Sequence, residues 1–385
     1  MNIYLHHIET AVPEYAYSQK TLSDTVSGWA NNPREARLAR NTFRRSEIET
    51  RYSVLPDFDP SFGSSLLFHC DADGHPVVPD TGTRNRCFAT EASRLNEQVS
   101  RRLFERAPWF KPQDVTHLIT VSCTGFYNPG PDIELIQQIG LPTTIERYHL
   151  GFMGCYAAFP AMRMAKQFCE ADPNAVVLIV CLELCTLHMQ LDSHPDSMLA
   201  NSLFADGAAA TLVSAKKPAS DRPVLTLGKF QSALASEGVG DMAWDIGSHG
   251  FNLRLSKYVP QILGLKLGDV VEELLGNVGM TLPDITHWAV HPGGRAILDK
   301  IENTLNLTDL QASRKTLRNY GNMSSVTIWF VLLELLQSSA LKTEEVCAMA
   351  FGPGLTIETA TLTLHSPTKT QYAPAFRMLS EPHLV

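Results

Sequence analysis

What this chain lacks narrows its function before any motif is read. No run approaches the roughly 20 consecutive apolar residues that a membrane-spanning helix needs. The opening Met1-Asn-Ile-Tyr-Leu-His-His-Ile-Glu9 has neither the basic start nor the long apolar segment of a secretory leader. The chain therefore reads as cytosolic, with no membrane insertion. Positive charge is not in excess: 32 Lys and Arg face 40 Asp and Glu, for a net charge of −8. A general nucleic-acid binder should be basic, so nucleic acid is disfavoured as a partner. A CoA or phosphate site needs only a few local cations and stays open. Cysteine is sparse, eight in 385 residues with no C-x-x-C pair. That is no disulfide framework, and it reads as free thiols in a reducing compartment. Cys181 and Cys185 belong to the apolar run that starts at Ala175, which argues against zinc ligation there.

What the chain does have is a weak copy of itself. Asp114-Val-Thr-His-Leu-Ile-Thr-Val-Ser-Cys123 recurs as Asp284-Ile-Thr-His-Trp-Ala-Val-His291. Each is an apolar run ending at a Gly-containing turn, the pattern of a buried strand opening into a loop. A second pair of corners follows, Gly154-Cys155-Tyr-Ala-Ala and Gly321-Asn322-Met-Ser-Ser. Both open a helix-like stretch that leads to another buried strand. A duplicated α/β unit brings equivalent corners together at a pseudo-twofold axis, so Cys155, His291 and Asn322 are expected in one pocket.

The wider pattern agrees. Strand-like runs cover 118–123, 176–183, 208–214, 224–227, 287–290, 346–351 and 356–364, and helical patterns cover 132–139, 157–169, 259–277, 294–305 and 324–338. Their alternation predicts α/β sheets with helices packed on them. The polar, Pro-containing stretch 216–223 divides the chain into halves, 1–220 with the cysteine and 221–385 with His291 and Asn322. Residues 57–86, rich in Gly, Pro, Asp and Ser, read as a long surface excursion, and the last twenty residues as an irregular tail.

Chemistry sits at the corners. A Cys at a helix N-terminus feels the partial positive charge of unpaired N–H groups, which lowers its pKa and suits it to accept an acyl group. The plainer reading of Cys155 is a small buried hydrophobe. His291 enters Pro-Gly-Gly, where backbone can approach a ligand closely; its plainer reading is a turn-closing His. Asn322 is either a helix N-cap or an amide donor beside His291. Together the three fit two chemistries. In a Cys protease the Asn would only orient the His. In a decarboxylating condensing enzyme, His and Asn both donate to one thioester oxygen and stabilise the enolate left as CO2 departs.

Four motifs carry a resemblance: Gly154-Cys155, His291-Pro-Gly-Gly, Tyr320-Gly-Asn-Met-Ser-Ser325 and Phe351-Gly-Pro-Gly-Leu-Thr-Ile-Glu358. A fifth, Leu203-Phe-Ala-Asp-Gly-Ala-Ala-Ala210, joins them. The chain resembles the type III polyketide synthases, the chalcone and stilbene synthase-like enzymes of the thiolase superfamily, from about residue 42 to 365. The Gly-Pro-Gly loop is the most specific piece, since ketoacyl-carrier-protein synthases of the third type share Cys-His-Asn but usually lack that Pro.

The resemblance implies an α/β, thiolase-like duplicated αβαβα five-layer fold and a homodimer, with no metal and no organic cofactor. Cys155 would take an acyl-CoA starter and malonyl-CoA would extend it. His291 and Asn322 would form the oxyanion hole, and His291 would keep Cys155 ionised. Phe204 falls on one gatekeeper position, and Leu253 replaces the second gatekeeper Phe. Trp244 stands where plant chalcone synthases have a cavity-lining Gly, and Cys185 and His188 where they have Thr. Cys123, Thr124 and Ser324 fall on the same cavity wall. Cys123 reads as a second reactive thiol or an inert wall, and His188 as a cyclisation group or a hydrogen-bonded bystander. Arg44 and Arg45 lie where the family places CoA-binding cations. Glu183 reads as structural support for the Cys155 corner. Asn128 replaces a Met that reaches across the dimer interface. The starter, the number of extensions, the mode of ring closure and delivery by a carrier protein stay open. So do a single-condensation synthase and a non-catalytic acyl-CoA-binding protein.

Overall fold

The structure, a computed structural model, describes residues 1–30, 32–69, 71–72, 77–192, 194–218, 222–338 and 343–366. The centre of the expected linker between halves, and nearly all of the expected C-terminal tail, lie outside the described residues. The first half of the chain runs β1 (Tyr4–Ala11), β2 (Tyr15–Ser18), α1 (Gln19–Gly28), α2 (Pro33–Arg44), β3 (Thr50–Ser53), α3 (Thr81–Arg106), β4 (His117–Ser122), α4 (Pro131–Ile139), β5 (Glu146–Gly151), α5 (Ala158–Ala171), β6 (Val176–Leu184), α6 (Pro195–Leu203) and β7 (Asp206–Ser214). The second runs β8 (Val224–Leu234), β9 (Met242–Gly247), β10 (Gly250–Leu255), α7 (Val259–Gly276), β11 (His287–Val290), α8 (Arg295–Leu305), α9 (Gln311–Tyr320), α10 (Thr327–Ser338), β12 (Thr343–Gly352) and β13 (Thr356–His365).

Nine strands pair in the order β11-β12-β13-β8-β1-β7-β6-β4-β5. The join in the middle is thin: β1 meets β8 only at Tyr4 with Thr226 and Leu5 with Leu225. On either side of it the wiring repeats. β4 is parallel to β6, β6 antiparallel to β7, and β7 antiparallel to β1. Likewise β11 is parallel to β12, β12 antiparallel to β13, and β13 antiparallel to β8. The repeated sequence also repeats its local chemistry. Each copy starts with a one-turn 3-10 helix in which a carboxylate, Asp114 or Asp284, accepts from the backbone N–H three residues earlier.

Strand period 2 turns this wiring into layers. In β6, Val177, Ile179 and Cys181 face a core built on α5 and α10. Val176, Leu178, Val180 and Leu182 face the opposite way, onto α3. In β12, Val346, Ala348 and Ala350 join the α5 and α10 core, while Cys347, Met349 and Phe351 face α7 and α8. The order is therefore helix, sheet, helix, sheet, helix. A strand buried on both faces needs the nearly continuous apolar run that β6 has. The middle layer is tightly used: Trp329 of α10 is 1% exposed and donates its indole N–H to Cys181 Sγ at 3.1 Å. Truncating such a residue to Ala typically costs about 3–5 kcal/mol.

One sequence expectation fails. The 57–86 segment is not only a surface excursion: Phe58, Leu67 and Phe68 are buried, and α3 starts inside it at Thr81. Two features pull the segment in. The Asp57 carboxylate accepts from the backbone N–H groups of Leu66, Leu67 and Phe68. The fully buried Arg84 donates to the carbonyls of Pro79, Leu187 and Met189. Among the described residues no helix is long and apolar enough to cross a membrane.

Candidate active site

Cys155 lies in the turn between β5 and α5. Gly154 has φ +92°, and a Cβ there would sit 2.5 Å from Cδ of Pro353. Glycine is thus required twice, by conformation and by contact. Cys155 comes three residues before α5 begins rather than at its first turn. Its thiol is not acidified, contrary to the sequence expectation. Burial pushes it up to about 12, partly offset by hydrogen bonds from Ser324 and Asn322. Desolvation of the thiolate outweighs the helix N-terminus here.

His291 directly follows β11, its backbone N–H donating to Met349 O at 2.8 Å. The residue is 1% exposed, and among the described residues neither ring nitrogen has a partner. Burial lowers its pKa to about 3, so the ring is neutral, with one N–H donor and one acceptor unused. The expectation that His291 holds Cys155 as a thiolate has no hydrogen bond behind it here, and burial favours the neutral form of each group. Asn322 follows Gly321 at the end of α9. Its backbone N–H donates to Leu203 O and its carbonyl accepts from Ala205 N, both at 2.9 Å, a short bridge that fixes Phe204 beside it. Its side-chain Oδ1 accepts from Ser324 N at 2.9 Å, and Nδ2 donates to Gly293 O at 3.1 Å. The amide orientation is set, and the second N–H is turned toward the Cys155 sulfur. The helical turn that follows is capped by Met323 rather than Asn322, whose Oδ1 bond to Ser324 N instead fixes the amide as a donor.

Glu183 fastens the corners to one another. Its Oε2 accepts from Cys123 N at 2.9 Å and Thr124 Oγ1 at 3.0 Å, and its Oε1 from Ser325 Oγ at 2.6 Å. It joins the β4 corner of one half to the Asn322 corner of the other. Burial raises its pKa to about 7. The next link is Cys123, whose Sγ accepts from Gly154 N at 3.0 Å.

All these corners open on one cavity of about 560 Å³. It is lined by Cys155, His291 and Asn322, and by Cys123, Thr124, Cys185, His188, Phe204, Trp244, Leu253 and Ser324. Arg45 is at its rim, but Arg44 does not line it; its guanidinium turns to Asn41 Oδ1 at 3.2 Å. One step of the helix, about 100° of rotation, separates the two.

Comparison with known proteins decides the family. The family model "Chalcone and stilbene synthases, N-terminal domain" matches residues 4–217, and the corresponding C-terminal domain model matches 230–366. The chain belongs to the chalcone and stilbene synthase family. It is 30% identical over 366 residues to "Probable polyketide synthase 1" of Dictyostelium discoideum, covering 93% of this chain but only 11% of that much longer relative. Among solved structures it resembles the C-terminal type III polyketide synthase domain of Steely1, a type I/III hybrid from Dictyostelium. That match has a TM-score of 0.85 and 27% identity, over 95% of this chain and 100% of the other. PKS-I from the brown alga Ectocarpus siliculosus gives 0.87 and 28%, over 94% and 98%. The bacterial 1,3,6,8-tetrahydroxynaphthalene synthase of Streptomyces coelicolor gives 0.84 and 27%, over 94% and 99%.

Within this type III polyketide synthase frame, the departures acquire positions. Trp244 of β9 pairs in register with Leu253 of β10 and donates its indole N–H to Cys123 O at 2.9 Å. It is a fixed wall. His188 accepts from Phe251 N at Nδ1, 3.1 Å, so Nε2 carries the proton it donates to Thr124 O at 2.7 Å. With both nitrogens engaged and its ring stacked 4.0 Å from Phe251, His188 has the geometry of the bystander rather than of a cyclisation group. Cys123 and Cys185 are buried where Cys155 is half-buried, and burial pushes their thiols well above the ordinary range, which suits walls less accessible to a substrate than Cys155. Asn128 is exposed.

Three residues of the site were not singled out by sequence reasoning. Pro353 supports the Cys155 turn, Phe251 stacks on His188, and buried Arg51 donates to the carbonyls of Asn201 and Phe204. Pro353 was within reach, since it is part of a quoted motif. An arginine in Glu-Thr-Arg-Tyr reads as surface, and nothing local says otherwise.

Proposed function

We propose that this chain is a cytosolic, homodimeric type III polyketide synthase that uses CoA thioesters and no resident cofactor or metal. The observation that carries the reading is the convergence of Cys155, His291 and Asn322 on one cavity, whose size is ordinary for a small-molecule site. In loading, the Cys155 sulfur attacks the starter thioester carbonyl. The thiol proton ends on the departing CoA sulfur, which leaves as the free thiol. Malonyl-CoA then loses CO2, and the electron pair of the broken bond passes into the thioester as an enolate. The N–H of neutral His291 and the Asn322 N–H not held by Gly293 donate to that oxygen. Burial keeps His291 a neutral donor that can point its proton at the oxyanion. The enolate carbon attacks the Cys155 thioester, a C–C bond forms and the C–S bond breaks, and Cys155 is released for another round. Further extension and ring closure would give a pyrone or a phenol.

A single condensation giving a diketide or β-keto acid is the second reading, favoured by the bulk of Trp244 in the wall. Product mass after incubation with malonyl-CoA and a panel of acyl-CoA starters tests both. Two or more malonyl-derived units support the polyketide reading and one unit the diketide. No CO2 release from malonyl-CoA under any starter would overturn both and leave an acyl-CoA-binding protein.

A further inference from the structure

The mouth of this cavity continues into a second feature that the condensing chemistry does not use. α2 carries Arg34, Arg37, Arg40 and Arg44, with Arg45 as its C-terminal cap, and all five are exposed. At 100° per residue they occupy about 140° of arc, on the side away from buried Ala39 and Phe43. Among the described residues none of the five makes an ion pair, and their side chains make one polar contact, Arg44 with Asn41. Elsewhere arginines find carboxylates, as Arg94, Arg101, Arg295 and Arg314 do. The nearest acidic groups are engaged: Glu47 holds Arg295 and Arg314, and Glu35 accepts from Asn32. Like charges three and four residues apart disfavour a helix, so the stripe works against the stability of the element that carries it. It is also a local inversion on a chain whose net charge is −8.

The stripe has a direction. At one end Arg45, with Thr42 and Ser46, lines the cavity mouth. At the other, Arg34 lies about 16 Å farther along the helix axis. Arg45 stands where either a CoA or a carrier-borne arm would enter, whereas Arg34, Arg37 and Arg40 do not line the cavity. Leu38, 44% exposed, stands among the arginines as an apolar contact point. A basic stripe with an apolar residue, ending at a thioester-consuming cavity, fits a protein that is acidic and brings its own thioester. Nucleic acid and anionic membranes meet the repulsion of the whole acidic chain; a small partner meets only this face.

We propose that the exposed face of α2 docks an acidic carrier protein whose acyl group is held as a thioester on a phosphopantetheine arm, and aims that arm into the cavity. The proposal rests on the condensing function above. The chemistry is that on CoA: an acyl arm gives its acyl group to the Cys155 sulfur, the carbon–sulfur bond to the arm breaks and the arm leaves as a thiol with the proton, whereas a malonyl arm loses CO2 in place, the electron pair of the broken bond passing into its thioester as an enolate.

The test uses a purified acidic acyl carrier protein bearing malonyl-phosphopantetheine beside malonyl-CoA, with decarboxylation as readout. Two triple variants are compared with wild type. One has Arg34→Glu, Arg37→Glu and Arg40→Glu; the other has Ala at the same three positions. None of these positions lines the cavity, so turnover of malonyl-CoA also reports folding. The expected result is a loss of about tenfold or more in kcat/KM for the carrier-borne donor, larger for Glu than for Ala, with less than about twofold change for malonyl-CoA. Salt should erase the wild-type advantage. Turnover of malonyl-CoA but not of the carrier by wild type would overturn the proposal, and so would equal loss on both donors or no loss on either. If wild type decarboxylates neither, it is the condensing function that fails.

Discussion

Pro353 rests on Gly154: a single added carbon at Gly154 would come within 2.5 Å of the Pro353 ring. One residue earlier in that loop, a Cβ on Gly352 would lie 2.5 Å from the Tyr156 ring. The Gly-Pro-Gly loop of the second half is thus the mould for the cysteine turn of the first. Gly154→Ala, at φ +92°, should cost more than about 1–2 kcal/mol and take most of the acylation with it. Gly268→Ala is the matched control. That glycine is inside α7 with nothing within 4 Å of its added carbon, so it should gain about 0.5–1 kcal/mol. Thermal melts of both variants check the pair; equal effects would mean that the loop does not constrain the turn.

Removing Asn322 separates two roles. Asn322→Ala loses the amide donor and should lower malonyl-CoA decarboxylation by roughly a hundredfold or more. Cys155→Ala should abolish acylation and condensation while leaving some decarboxylation, because the donors remain. Released CO2 measured on both variants gives the answer. Wild-type decarboxylation by Asn322→Ala would take the oxyanion role away from that residue.

Trp244 is held by its bond to Cys123 O and by edge contacts with His188 and Phe251. Trp244→Gly should therefore open real volume rather than let a neighbour collapse into place. Products should gain at least one malonyl-derived unit or change their ring. An unchanged mass profile would make Trp244 a packing residue.

His6, His188 and His291 are lowered to about 4, about 3 and about 3, each chiefly by burial. An unfolded histidine binds its proton near pH 6.5. Between the two values the unfolded state holds more protons, so stability rises with pH and is lost as pH falls from about 6.5 toward 3. Glu183 and Asp206, raised to about 7 and about 6 by burial, act in the opposite sense above pH 4.5. A difference measurement removes them. His188→Gln should flatten the pH slope of unfolding free energy relative to wild type by about 1.4 kcal/mol per pH unit below pH 6. Parallel slopes would mean that His188 is protonated in the folded chain.

The parts of this fold that sequence revealed are those where one force dominates. β6 shows as a bare apolar run because both of its faces are buried, and the ends of β11 and β13 fall within one residue of their patterns. β5 gave no signal: it is an edge strand, with exposed residues on both faces. α3 was half concealed by polar residues, although Phe88, Ala92, Leu95, Val99 and Leu103 form its buried stripe. The convergence of Cys155, His291 and Asn322 was legible because duplication fixes where equivalent corners go. Their protonation was not. A motif shows a cysteine near a helix, but the burial that pushes its thiol up to about 12 is created by residues from both halves. Arg51 and Arg84 were invisible for a related reason, since each has two partners that are carbonyls more than a hundred residues away.

The central claim is that Cys155 carries the growing acyl chain, and peptide mass spectrometry of the acylated protein tests it most directly. After brief exposure to a panel of acyl-CoA starters and digestion, the account predicts one added acyl mass on the Cys155 peptide and none on Cys155→Ala. An acyl mass on Cys123 or Cys185, or one that survives Cys155→Ala, would contradict it.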